Sequence, residues 1–414
     1  MRDMTLLLML VALGWISFIR PWVGLLALIF VGVLHPQGYA TGFMQGFPAY
    51  LTLFFVVVLA ASWQFFRQRA WPFLFWDWRM AGLALLWVQF ILTTILGLNP
   101  WAGWPRLMEV TKILPLVLMV LLLIDARTKL NWLLLTVTLS LAVVMLKGGY
   151  WAFITGFHDR VYGPPGSQYA DNNEFAVATA MAIPLLALWY RETESKALRW
   201  IAAILIALGF ASALSSWSRG GLLSIGMVAL LLVWHSRRKW LAIPLLLGGG
   251  GLAFMGLSDK WFARMQTIAT PELEGSAATR LELWRLGWDY ALQHPWTGGG
   301  FSSWIYLTLP VGGSRAWHSA YIELAVEHGV PGLVLWGSLV LGSAVSLTLL
   351  IARNRRWHLP GLTDQAAMLR ASLAAYMVGA AFLSIAYWEL LFLLLASAIL
   401  MSRFAKAERV NRMG

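Results

Sequence analysis

The chain has 414 residues, no cysteine, a hydrophobic fraction of 59% and a charged fraction of 12%. Soluble chains are about 45–50% apolar and about 25% charged, so this composition excludes a soluble globular protein and indicates a polytopic membrane protein. The lack of cysteine excludes a disulfide framework, thiolate metal ligands and a thiol nucleophile. The net charge of +12 is best explained by basic cytoplasmic loops, and no nucleic-acid partner is expected, because no long basic run occurs.

The hydrophobic runs predict helices that span a membrane. Strands of a membrane barrel alternate apolar and polar residues, whereas the runs at 114–124 and 222–233 do not. A helical span needs about 20 mostly apolar residues, so we expect an all-α polytopic fold with about 12–13 transmembrane helices. The candidate spans lie near residues 4–19, 21–35, 47–66, 80–98, 107–124, 131–154, 173–190, 198–216, 220–235, 240–257, 330–352, 369–386 and 388–404.

Basic residues are distributed unevenly between the connecting segments. Under strict alternation of spans, one side receives the basic clusters near 67–79, 127–129, 191–199, 237–239, 353–370 and 403–412. The positive-inside rule assigns that side to the cytoplasm. The long polar stretch 258–329 then becomes one large periplasmic loop of a bacterial inner-membrane protein. Arginines in that loop oppose the topology signal, and the binding of an anion is the simplest reason for keeping them.

The segment Asp171-Asn172-Asn173-Glu174 precedes an apolar run and predicts a helix N-cap. Capping alone explains these residue types. Asn172 is also a candidate for an additional contact to substrate.

Arg219 stands at the predicted start of a span on the outer face, followed by Gly220 and Gly221. Free amide groups at a helix N-terminus favour an anion, and a guanidinium group binds phosphate through paired hydrogen bonds. The glycines would let a bulky headgroup approach the backbone. Anchoring of the helix by lipid phosphate explains the same residues equally well.

The run 279–285 has helical spacing and places Arg280 on one face with Trp284 and Trp288. Such a helix would hold Arg280 over the same anion as Arg219, with Arg285 as a secondary contact. An amphipathic helix that lies on the membrane surface fits the spacing at least as well.

His318 follows Arg315 at the predicted start of a helix that runs through Tyr321 and Glu327. A helix N-terminus disfavours imidazolium, so the ring would be neutral and able to accept a proton from a hydroxyl. A structural role is the more common one for a single histidine. Neither a His-Glu-x-x-His motif nor a two-aspartate motif occurs, so no metal is expected.

Together these residues resemble the O-antigen ligase superfamily, which includes O-antigen polymerases and bacterial protein O-glycosylation ligases. The shared pattern is His318-Ser319, nine residues, and then Gly329-Val330-Pro331-Gly332, at the end of a large periplasmic loop. Arg219 with Leu223, and Arg280, resemble the paired arginines of that family. The N-terminal spans and residues 171–175 resemble ligases that are found with exosortase systems.

The resemblance implies transfer of a glycan from undecaprenyl diphosphate to a lipid A-core hydroxyl at the periplasmic leaflet, without metal or cofactor. Arg219 and Arg280 would bind the diphosphate and His318 would activate the acceptor. The possible secondary contacts are Arg285, Arg315, Asn172 and Tyr321. An O-antigen polymerase or a protein O-glycosylation ligase would use the same donor. A transporter of lipid-linked glycans is less favoured, because the chain shows no duplicated halves.

The resemblance also divides the chain into three parts. Residues 1–157 would form N-terminal transmembrane helices, and residues 158–353 would form the catalytic region with the loop 258–329. Residues 354–414 would form C-terminal helices and a cytoplasmic tail.

Overall fold

The computed structural model describes residues 2–69, 75–266 and 275–412. Those ranges contain α-helices and short 3₁₀ turns, and no strand. Eight of their helices are long and apolar enough to cross a membrane. The prediction of an all-α, multi-pass membrane protein is therefore confirmed.

The helices of the described residues are, in chain order, α1 (Arg2–Ile19), α2 (Pro21–Leu34), α3 (Ala49–Gln68), α4 (Trp78–Ile95), α5 (Pro100–Thr111), α6 (Ile113–Leu123), α7 (Arg127–Ile154), α8 (Asn172–Glu192), α9 (Lys196–Leu214), α10 (Arg219–Trp234), α11 (Lys239–Gly256), α12 (Asp259–Gln266), α13 (Gly275–Gln293), α14 (Trp304–Leu307), α15 (Ala320–Arg356), α16 (Pro360–Ala380) and α17 (Glu389–Asn411).

Among the described residues, fewer helices than expected have the length and hydropathy of a full span. The eight that qualify are α1, α3, α4, α7, α8, α9, α15 and α17, while α2 and α10 are apolar but shorter. The expected span at 107–124 is two helices that meet at Lys112. Pro115 explains the break, because its ring clashes with the carbonyl four residues earlier, at Thr111.

The centre of the molecule is formed by α8 and α17. In each of these helices 78% of the residues of the most apolar stretch are buried, whereas in α1 only 6% are buried. Helix α16 packs against α8, α10, α15 and α17. Small residues permit this packing: a Cβ built on Gly379 of α16 would lie 2.5 Å from the Val177 methyl groups of α8. Exposed apolar side chains on the outer helices are those expected of a surface that meets lipid.

The central helices have two ends, which carry different residues. At one end, Asp364 near the start of α16 binds Arg191 from α8 and Arg237 from the segment after α10; we call it the Asp364 end. The opposite ends of the same helices carry Asp171, Arg219 and the segment 381–388 between α16 and α17. His318 contacts that segment, so we call this the His318 end.

The expected loop 258–329 is largely helical where it is described. It contains α12, α13 and α14, and α15 begins at Ala320, two residues after His318, as the sequence predicted for this histidine. Regular helix geometry is interrupted at Gly329, where φ is 66°. A Cβ there would lie 2.5 Å from the Pro295 carbonyl oxygen, so only glycine fits. Residues 267–274 of the expected loop lie outside the described residues.

Candidate active site

His318 lies between two anchored backbone groups in front of α15. Its N–H donates to Ser384 Oγ at 3.0 Å, and the carbonyl of the preceding Trp317 accepts from Trp284 Nε1 at 2.8 Å. The φ angle of His318 is 50°, in the left-handed region, which costs a residue with a side chain about 1–3 kcal/mol. The surrounding contacts therefore hold the His318 backbone in a conformation that it rarely adopts.

The His318 ring is half-buried and its charge state is set by its surroundings. Burial and the positive charges of Arg280 and Arg315, opposed by the negative charge of Asp171, lower the pKa of His318 to about 4. From the sequence, we expected the helix N-terminus to keep the ring neutral. In the structure, burial and the charge of Arg280 are the main causes of its lowered pKa. At neutral pH the ring is uncharged and has a nitrogen lone pair that can accept a proton.

Arg280 lies on α13, which packs against α15. Leu283, Trp317 and Val326 form one buried cluster between the two helices. The face of α13 that carries Arg280 therefore meets protein as well as solvent, because Trp284, one turn later, donates to the Trp317 carbonyl. This packing disfavours the alternative of a helix that only lies on the membrane surface.

Arg219 is the first residue of α10, and the turn before it is fixed. Ser218 caps the helix by accepting from the Gly221 N–H at 3.1 Å. The Asn172 side-chain amide donates to the Ser216 carbonyl at 2.6 Å, so Asn172 supports the turn that presents Arg219.

Gly220 and Gly221 serve helix packing, instead of the expected approach of a headgroup. A Cβ on Gly220 would lie 3.1 Å from Phe382 Cβ, and one on Gly221 would collide with Ala176 of α8. Gly220, the residue next to Arg219, thus packs against Phe382. Phe382 lies two positions before Ser384, whose hydroxyl binds the His318 backbone.

Asp171 is the predicted N-cap of α8, and the structure confirms this, since its carboxylate accepts from the Asn173 N–H at 2.8 Å. Burial acts to raise the pKa of Asp171, but hydrogen bonds from Glu174 and Asn173 lower it on balance. Its negative charge also acts on His318. The sequence indicated only a capping role for this aspartate, whereas its charge also favours the protonated form of His318.

The remaining candidates differ in their surroundings. The Tyr321 hydroxyl donates to the Met377 carbonyl of α16 at 2.9 Å, so this tyrosine ties α15 to α16. Arg315 is exposed, but its charge reaches His318. Arg285 is exposed, and the charges that shift the pKa of His318 come from Arg280, Arg315 and Asp171 instead.

A buried hydrogen-bonded chain lies deeper along α15. The Tyr387 hydroxyl donates to Glu327 Oε2 at 2.7 Å and contacts His328 Nε2 at 2.8 Å, while His328 Nδ1 contacts the Thr93 hydroxyl at 2.6 Å. Sequence reasoning missed these hydrogen bonds, because they join side chains that are far apart in the sequence. Within the described ranges, no group of three or more His, Asp and Glu side chains is arranged to hold a metal ion.

Comparison with known families separates the chain into two matched segments. Residues 204–337 match a family model described as O-antigen ligase, and residues 1–195 match a family of unknown function. No curated protein matches the chain. The first match contains Arg219, Arg280 and His318, and its family indicates a membrane glycosyltransferase of the ligase type. Residues 204–337 are therefore similar to the O-antigen ligase family, and this match supports the resemblance inferred from the sequence.

Proposed function

We propose that this protein transfers a glycan from undecaprenyl diphosphate to a hydroxyl group of lipid A-core, with His318 as general base and Arg219 and Arg280 as ligands of the diphosphate. The observation that carries the proposal is the neutral, half-buried His318 beside Arg280, at the end of the bundle where α10 begins with Arg219. A base, a cation and a helix N-terminus are the groups that this reaction requires.

The chemistry assigns one task to each group. The acceptor oxygen attacks the anomeric carbon, the bond between that carbon and the diphosphate oxygen breaks, and the acceptor proton passes to His318. Negative charge grows on the departing diphosphate. Fixed guanidinium groups would offset that charge, and preorganised donors of this kind are often the largest contribution to catalysis.

Binding of the donor would change the pKa of His318. A base with a pKa of about 4 is weak at neutral pH, where a value near the working pH is most effective. A bound diphosphate would neutralise the charges of Arg280 and Arg315, which lower that pKa. Donor binding would therefore raise the basicity of His318 at the moment when the acceptor proton must be removed.

The two ends of the bundle support a periplasmic site in the bacterial inner membrane. Arg191 and Arg237 gather at the Asp364 end, the composition expected of a cytoplasmic face. The His318 end then faces the periplasm, where a lipid-linked donor and lipid A-core would meet. The three-part division at residues 157 and 353 belongs to the same proposal.

The test uses the full-length protein in lipid nanodiscs, supplied with an undecaprenyl-diphosphate-linked glycan and lipid A-core. High-mass lipopolysaccharide is the expected product, and His318→Ala and Arg280→Ala should each abolish most of it. Glu282→Gln is the matched control, because Glu282 is an exposed residue of the same helix as Arg280. Full transfer by both active-site variants would show that the assignment is wrong.

The same assay separates the alternatives within the family. Longer lipid-linked chains without lipopolysaccharide would identify a polymerase, and a glycosylated acceptor protein would identify an O-glycosylation ligase. Movement of the donor across a proteoliposome membrane, without a new glycosidic bond, would identify a transporter.

A further inference from the structure

The segment 381–388, between α16 and α17, lies outside the part of the chain that matches the O-antigen ligase family. We propose that it is a positioning element of the active site, in which Ser384 fixes the His318 backbone and Phe382 fixes the distance between the two arginine-bearing helices. This inference rests on the proposed function.

Ser384 is the contact of this segment with His318. Its hydroxyl oxygen accepts from the His318 N–H at 3.0 Å, at a residue whose φ of 50° is in the left-handed region. On its other side, the carbonyl of the neighbouring Trp317 accepts from Trp284 Nε1. The Ser384 hydroxyl therefore helps to select the backbone conformation from which the imidazole ring projects.

Phe382 is the contact of this segment with both arginine-bearing helices. A Cβ on Gly220 of α10, next to Arg219, would lie 3.1 Å from Phe382 Cβ. The Phe382 ring also lies 6.3 Å, between centroids, from the ring of Trp284 on α13, one turn after Arg280. The Phe382 side chain thus contacts both helices, next to the two arginines that would bind the diphosphate.

The segment itself is held by hydrogen bonds to α15 and α16. The Ala386 N–H donates to Glu323 Oε2 at 3.3 Å, and the Tyr387 hydroxyl donates to Glu327. The two carbonyls of the segment that receive side-chain donors are those of Ile385, bound by Tyr376, and Ala386, bound by Trp336. Buried polar groups with partners of this kind give a rigid support.

The two residues should affect different kinetic constants. Loss of the Ser384 hydroxyl displaces the base but leaves the arginines in place, so kcat falls while the KM for donor stays. A displacement of about 1 Å in a reacting group can cost about 100-fold, and we expect a fall of about 10–100-fold. Loss of the Phe382 ring changes the spacing of the arginines, so the KM for donor should rise about tenfold.

The experiment compares Ser384→Thr with Ser384→Val in the full-length protein, in nanodiscs, with the lipid-linked donor varied at saturating lipid A-core. The two variants have nearly the same shape and differ in the hydroxyl, so a difference between them reports the hydrogen bond and not the folding of the segment. Ser384→Thr should keep a kcat close to wild type, and Ser384→Val should lose it. Ser397→Ala is the control, because that hydroxyl binds only the Leu393 carbonyl within α17.

Equal kcat values for the Thr and Val variants would overturn the role of Ser384, and an unchanged donor KM in Phe382→Leu and Phe382→Ala would overturn that of Phe382. The proposed function fails separately, if His318→Ala transfers as well as wild type. An inactive His318→Ala together with a fully active Ser384→Val would refute the positioning element alone.

Discussion

The two ends of the helix bundle use arginine in different ways. At the Asp364 end, one carboxylate binds Arg191 at 2.8 Å and Arg237 at 3.0 Å, and Glu192 binds Arg127 at 3.4 Å. At the His318 end, the charges of Arg280 and Arg315 act on a neutral histidine. The ion pairs at the Asp364 end join helices, whereas at the His318 end the charge of Arg280 acts both on His318 and on Glu174.

Positive φ angles occur at both ends of the bundle. Trp217, Ser302 and His318 lie in the connections around the His318 end, and His358 lies just before α16, at the Asp364 end. Strain of this kind persists only where surrounding contacts hold it, and it is concentrated at functional sites. We therefore expect changes at the His318 end to alter catalysis and changes at the Asp364 end to alter stability.

Replacement of the base should have the largest effect. His318→Ala is expected to lower kcat by about 10²–10⁴-fold, the contribution typical of a positioned general base. The midpoint of thermal unfolding should change little, because the ring is only half-buried. Transfer assays and thermal unfolding in nanodiscs measure the two effects. A kcat within twofold of wild type would remove His318 from the mechanism.

The next largest effect is expected at Arg280. Arg280→Ala should lower kcat/KM about 100-fold, because one donor to the developing charge is lost. Arg280→Lys should recover only part of it, since an ammonium group cannot make the same paired contacts. Equal activities of the Ala and Lys variants would argue against a role for positive charge at this position.

The pH dependence tests the surroundings of His318. Because its pKa is lowered to about 4, kcat/KM should be flat near neutral pH and fall about tenfold for each unit below pH ~4, where imidazolium cannot accept a proton. With saturating donor, the acid limb of kcat should move to higher pH, since the diphosphate offsets the arginine charges. An acid limb of kcat/KM close to 6.5, the usual value, would show that burial and Arg280 do not act as described.

A matched substitution of an arginine at the Asp364 end should leave catalysis nearly unchanged. Arg191→Ala breaks the contact with Asp364, whose side chain is 18% exposed, and should lower the free energy of unfolding by about 1–2 kcal/mol. Once folded, the variant should keep kcat within about twofold, because additivity holds for distant sites. Denaturant unfolding and the transfer assay measure the two quantities, and a selective loss of kcat would contradict the division between the ends.

The smallest effect is expected at Arg285, which shares α13 with Arg280 but is exposed. Arg285→Ala should change kcat/KM by no more than about twofold, as surface substitutions usually do. The contrast with Arg280→Ala in the same assay shows whether the position on the helix, or the charge of the helix as a whole, is what matters. Equal losses in the two variants would support a general electrostatic role for α13.

The amino-acid sequence by itself determined the all-α membrane fold, the helix that carries Arg280, the cap at Asp171 and the helix that begins just after His318. These are local properties: hydrophobic run length, helical spacing and capping residues act within a few positions of the chain. The same local reasoning did not anticipate how that helix packs, since Glu323, Glu327 and His328 of α15 are buried.

Only the tertiary structure decided what surrounds the base. Ser384 is 66 positions from His318, and Tyr387 is 60 positions from Glu327. These contacts arise because α16 and α17 pack against α15, and no periodicity or spacing in the sequence specifies which distant side chains that packing brings together. The low pKa of His318 has the same origin, since burial and the charge of Arg280 exist only once α13 has packed against α15.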